Sequence, residues 1–215
     1  MIARVLATLA AACVAVGLTM SVSVGAAADD LFSQIYAKGT AKQKTLQSIR
    51  ARFTETTVSS LLTQPIVAHG TLVGAPPARV VMTYTDPEPK TVTIDGEMLT
   101  IVWPDRHERQ QIKIAETQKR IAQYFGHATV KDLQSMFRIV AAPDATLRTA
   151  DRVEMHPTRK QIKQGLERLD LWIDRDSAML VQMRMTFPGG DEKTITLDTI
   201  TPNVPTTDAT FRAAP

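Results

Sequence analysis

A chain of 215 residues, 44% hydrophobic and 22% charged, holds enough apolar surface for a core, which excludes a wholly disordered protein. The formal net charge is only +3, no Lys/Arg run exceeds two residues, and aromatic residues do not interleave with basic ones, so no nucleic-acid partner is expected. The small positive charge suits approach to an anionic membrane surface or an acidic partner patch.

Residues 1–28 read as a leader. Arg4 is followed by an apolar run from Val5 to about Met20, and Ala26 and Ala28 precede the abrupt Asp29-Asp30. This is the pattern of a secretory signal peptide that is cleaved. A membrane anchor, or a lipoprotein signal on "AAAC" ending at Cys13, are the alternatives. The expected product is residues 29–215, exported as a single domain. Cys13, the only cysteine, lies in the leader, so this domain folds on packing and hydrogen bonds without a disulfide.

From Asp30 to Ile49 the spacing is helical, with Leu31, Ile35, Leu46 and Ile49 on one broad face and a break at Gly39-Thr40. "RARFTETT" (50–57) then begins the strands. "IVAHGTLVG" (66–74), "RVVMTYT" (79–85), "KTVTID" (90–95), "EMLTIVW" (97–103) and "ERQQIKI" (108–114) follow, separated by Pro76-Pro77, "DPEP" and Asp95-Gly96. Asp95-Gly96 predicts a hairpin with a type I′ turn. The period changes in a helical insert at about 115–140. There Ile121, Tyr124 and Phe125 share one helix, and Val130, Leu133, Met136, Phe137 and Val140 another. Strands resume at 146–155, 167–173, 180–187 and 193–200, with "IKQGLERL" as one turn and "PGGD" as another. The sum is an α+β chain of about ten antiparallel strands, with helices on one face of a curved sheet.

No nucleophile elbow, phosphate-binding loop or dinucleotide fingerprint occurs, and no cofactor is called for. His69, His107, His127 and His156 are widely spaced and read as surface or loop residues. Asp170, Asp174 and Asp176 read as a charged outer face and turn. An enzyme is not expected.

The apolar alternation carries more information. Val80, Met82 and Tyr84 share a strand face, as do Leu99, Ile101 and Trp103, and Leu169, Leu171 and Ile173. Val181, Met183, Met185 and Phe187, with Ile195 and Leu197, form the same pattern in the last hairpin. One side of the sheet is therefore continuously apolar. A helix-covered core is one explanation. An apolar cavity is the other, supported by scant helical material and by seven methionines after the leader, whose flexible thioethers suit surfaces that accept variable apolar shapes.

The order of these motifs resembles the LolA-type family of periplasmic outer-membrane lipoprotein carriers. The likeness starts at "LQSIRARFTET" (46–56), continues through Gly70, Pro77, Arg79, Tyr84, Pro87, Asp95, Gly96, Leu99, Trp103 and Pro104, and extends to the last hairpin and the Phe211–Pro215 close. Pro76 stands where the family often has a basic residue, and Val80 and Met82 stand at its aromatic positions. The resemblance implies an unclosed antiparallel β-barrel with an N-terminal helix and a helical lid over its apolar concave face. It implies a monomeric carrier that shields the acyl chains of lipoproteins. Such a carrier takes cargo from an inner-membrane exporter and delivers it to an outer-membrane acceptor. A carrier of another lipid or hydrophobic conjugate, and a lipoprotein-sensing regulator of the same fold, are the alternatives. Ile121, Phe125, Leu133, Met136 and Phe137 are the expected lid, and Arg79 its latch through a helix C-terminal carbonyl.

Overall fold

Strand alternation settles most of the architecture. The computed structural model describes residues 24–76, 79–115 and 128–212. Its eleven strands are β1 (Ile49–Val58), β2 (Ile66–Ala75), β3 (Arg79–Asp86), β4 (Lys90–Asp95), β5 (Met98–Trp103), β6 (Glu108–Lys113), β7 (Phe137–Pro143), β8 (Ala150–Pro157), β9 (Arg168–Asp174), β10 (Leu180–Thr186) and β11 (Glu192–Pro202). They form one antiparallel sheet in the order β6-β5-β4-β3-β2-β1-β11-β10-β9-β8-β7. Strands β6 and β7 are its two edges, so the barrel is unclosed. Two meanders meet at the β1–β11 seam, where the first and last strands pair.

Because side chains alternate, cross-strand partners share a face. One rung runs Ile101–Val92–Met82–Leu72–Ala51. Another runs Glu55–Ile195–Met183–Leu171–Val153–Ala141. Between them lie Tyr84, Gly70, Phe53 and Leu197. Gly70 is required here. A Cβ at that position would stand 2.1 Å from the Thr83 carbonyl oxygen and 2.8 Å from the Phe53 ring. Phe53 occupies that space instead and meets Tyr84 edge-on, with ring centroids 4.9 Å apart.

Among the described residues three α-helices accompany the sheet: α1 (Val24–Gln43), α2 (Val130–Met136) and α3 (Lys160–Lys163). Helix α1 passes through Gly39 without a break and ends at Gln43, so Leu46 and Ile49 are not part of it, and Ile49 opens β1. One interior glycine costs about 1 kcal/mol, which packing outweighs. Phe32 inserts into a buried cluster of Ala128, Leu133, Met136, Phe137, Ala141, Val153 and Met155. Helix α2 starts with a capping box in which the Thr129 hydroxyl accepts from the Asp132 N–H and the Asp132 carboxylate accepts from the Thr129 N–H.

Two expectations change in detail. The second helix of the insert stops at Met136, and Phe137, expected in that helix, opens β7, a strand added to the ten expected. The Asp95-Gly96 turn is a two-residue loop of Gly96-Glu97, because Asp95 pairs with Met98. Positive φ occurs at Gly96 alone, at 57°, which is the requirement of a type II′ turn rather than I′.

The opposite face is polar. Asp170, 0% exposed, accepts from Arg152 at 2.7 Å and from Arg168 at 3.0 Å. The guanidinium groups of Arg152 and Arg184 lie over the buried Trp172 ring. Asp170 thus has the expected outer face but not the expected exposure. Asp174 serves the following turn, accepting from the Ser177 N–H and hydroxyl.

Candidate functional site

A hollow of about 900 Å³ lies between α1 and the sheet. Its roof is Phe32, Ile35 and Tyr36 of α1 with Val130 and Leu133 of α2, and its floor is Val153 and Met155 of β8 with Leu169, Leu171 and Ile173 of β9. The floor residues follow from register: Leu171 faces Val153 and Leu169 faces Met155 across adjacent strands. Strand alternation points all five to the helix side and leaves Arg152, Asp170 and Trp172 behind them. The Tyr36 hydroxyl donates to the Ala128 carbonyl, which ties the start of α2 to α1 and leaves the Tyr36 ring free to line the hollow. Among the described residues, Lys44 is the only charged one that lines it, and no carboxylate does. Such a wall offers dispersion contacts and burial, with little to orient a polar substrate.

The same sheet face carries one polar island outside the hollow. Glu55 accepts from the Tyr84 hydroxyl at 2.9 Å and from the Lys193 ammonium at 2.8 Å. Burial, and then the neighbouring Glu55 charge, push the Tyr84 phenol well above its usual range. Among the described residues no group of three or more His, Cys, Asp or Glu is placed to hold a metal ion.

The candidate lining residues do not all meet in this hollow. Leu169, Leu171 and Ile173 line it. Met183 and Met185 share their rungs on β10, and Ile195 and Leu197 continue that face on β11. Val80, Met82, Tyr84, Leu99 and Ile101 lie on the same face across the seam. Trp103 pairs with Glu108 at the end of β5, and its indole N–H donates to Glu88. Val181 sits at a bulge where β10 slips against β9, and Phe187 lies just beyond β10 at the hairpin turn.

Of the lid residues, Leu133 and Met136 are buried against Phe32, Phe137 belongs to β7, and Ile121 and Phe125 lie outside the described residues. Arg79 stands on the opposite face. Its guanidinium donates to Asp208 at 2.8 Å and lies 4.6 Å from the centre of the buried Phe211 ring. The described residues therefore give it the C-terminal 3-10 turn as partner in place of a helix carbonyl.

Sequence reasoning missed Phe32 and Tyr36 as site residues, and with them Val153 and Met155. The Phe32/Tyr36 spacing of four and the Val153/Met155 spacing of two were the available signals.

Comparison with solved structures shows the fold. An uncharacterised conserved protein from Thermus thermophilus superposes with a TM-score of 0.56 at 9% identity, covering 86% of this chain and 94% of that one. The Mycobacterium tuberculosis lipoprotein LppX superposes with a TM-score of 0.54 at 16% identity, covering 83% and 98%. The Pseudomonas aeruginosa MucA/MucB complex gives 0.51 at 10% identity, covering 85% of this chain and 60% of that one. No curated protein matches the sequence. The family model described as outer membrane lipoprotein carrier protein LolA matches residues 44–214, which takes in the whole sheet, and the chain belongs to that family.

Proposed function

We propose that the protein is a non-enzymatic periplasmic carrier that shields lipoprotein acyl chains in this hollow and moves them from an inner-membrane exporter to an outer-membrane acceptor. The observation that carries this reading is the apolar hollow itself, walled by α1, β8 and β9, with Lys44 the single charged residue among its described lining. Family membership supports the cargo class. No helix among the described residues is long and apolar enough to cross a membrane.

The energetics suit transfer. Each buried methylene contributes about 0.8 kcal/mol, so a chain of about 15 methylenes contributes roughly 12 kcal/mol gross. Two chains held at full strength would already exceed the non-covalent ceiling of about 20 kcal/mol and would leave too slowly. A carrier needs an opposing term. Here the packing of Phe32 against Leu133 and Met136 supplies it, because cargo that widens the hollow must separate these groups.

Native mass spectrometry of protein recovered from the periplasm tests the reading. The expected result is a co-purifying acylated protein. A different lipid in its place would redirect the cargo class. An empty protein that also fails to take up a long-chain fatty acid would overturn it.

A further inference from the structure

The apolar surface that the hollow does not absorb lies at one end of the sheet. The connection between β1 and β2 carries Leu61, 90% exposed, with Val58, Ile66 and Val67 also exposed. From Val58 to Val67 the chain has no charged residue. The tip is held in shape: the Leu62 N–H donates to the Ser59 carbonyl, and the Leu61 N–H donates to the Ser59 hydroxyl oxygen. The Ser60 N–H reaches Asp191 in the β10–β11 turn. That turn in turn borders a recess of about 490 Å³ lined by Pro188, Arg138, His156, Lys163 and Glu167, among others.

Across the β10–β11 turn, at the same end of the sheet, Arg138 and Lys163 line that recess, and Arg159 and Lys160 lie just before and in the short helix that carries Lys163; all four are exposed. None of them forms an ion pair among the described residues. The acids on the tip's other flank are already engaged, Asp86 with His69 and Glu88 with Arg106. Glu167, Asp191 and Glu192 are acids on the cationic side, and Glu192 lies 3.6 Å from Arg168. The surface thus joins an uncharged apolar projection to a group of unpaired positive charges. Apolar insertion combined with a basic patch is the pair of signals that holds a protein reversibly to an anionic bilayer.

We infer that this end of the molecule docks on an anionic lipid surface, with Leu61 entering the acyl boundary and Arg138, Arg159, Lys160 and Lys163 resting on headgroup phosphates. The inference stands apart from the cargo reading, because none of these residues lines the hollow.

The test is co-sedimentation of periplasm-purified protein with vesicles of phosphatidylethanolamine containing about 30% phosphatidylglycerol, against phosphatidylcholine alone. The wild type is expected on the anionic vesicles only, with binding that weakens as salt rises. Leu61→Asp, and separately the triple change Arg159→Glu, Lys160→Glu and Lys163→Glu, are expected to lower the bound fraction at least about fivefold. Circular dichroism and the thermal melt should be unchanged in both, which confirms folding. A Leu61→Trp variant should show blue-shifted emission on the same vesicles. Three results would overturn the inference: no wild-type binding, equal binding by Leu61→Asp, or a Leu61-dependent dimer in sedimentation velocity without vesicle binding.

Discussion

The two halves of the apolar face look alike in sequence and differ in cover. Over β7–β9 the helices press on the sheet, and Val153, Met155 and Phe137 are buried. Over β3–β5 the equivalent rows, Val80, Met82, Val92, Ile94, Leu99 and Ile101, are half-buried among the described residues. Alternation alone cannot tell these apart, because it fixes which face a side chain takes and not what lies above it. The difference lies in where α1 lands. Its residues Phe32, Ile35 and Tyr36 roof a hollow over one half, whereas among the described residues only strand side chains make up the apolar cluster of the other.

The strongest test acts where the halves meet. Phe53→Ala, at a residue 1% exposed beside the seam, should cost about 3–5 kcal/mol in denaturant unfolding, because its ring fills the space above Gly70 and against Tyr84. A loss under about 1 kcal/mol would mean the halves are not packed through this ring. Behind the covered half, Asp170→Ala should cost about 2–3 kcal/mol, because Arg152 and Arg168 lose their shared buried acceptor. Thermal or denaturant melts read this directly.

A paired substitution sharpens the contrast. Leu171→Ser in the hollow should weaken fatty-acid binding about tenfold, as apolar contact is replaced by a hydroxyl. Ile101→Ser on the open wall should leave affinity within about twofold if the covered half alone receives cargo. Equal losses in a displacement titration would show that cargo spreads across the seam. The smallest effect is expected behind the open half. Arg79→Leu removes an exposed ion pair to Asp208 and the contact over Phe211, worth about 1 kcal/mol or less. Cargo release at an unchanged rate would fit that structural role, whereas altered release would revive the latch.

Much of the sheet was legible because its strands are half-covered, alternate cleanly and are separated by Pro, Gly and Asp. β7 was not legible. Leu133, Met136, Phe137 and Val140 sustain helical spacing across the junction, while Phe137, Ile139 and Ala141 also alternate as a strand. Two periods overlap there, and only the pairing of Ile139 with Met155 decides between them. The hollow was legible in its floor and not in its roof. Leu169, Leu171 and Ile173 announce themselves by period two, but nothing in the helix sequence states which strands Phe32 and Tyr36 will cover. The long-range partners of Asp170 and Arg79 were likewise invisible, because ion pairs between distant segments leave no local pattern. Asp170 was readable as outward-facing, not as sealed beneath two arginines.

The β1–β11 seam bears on how the molecule is made. Arg52 and Asp198, paired across it at 2.8 Å, lie 146 positions apart, so the first strand to emerge waits for the last. Until β11 is delivered, β1 presents a raw edge able to recruit strands from neighbouring nascent chains. Contacts of such long separation also form slowly. The folding chain therefore passes through an interval, between completion of the β1–β2 hairpin and arrival of β11, in which that edge is open to mispairing.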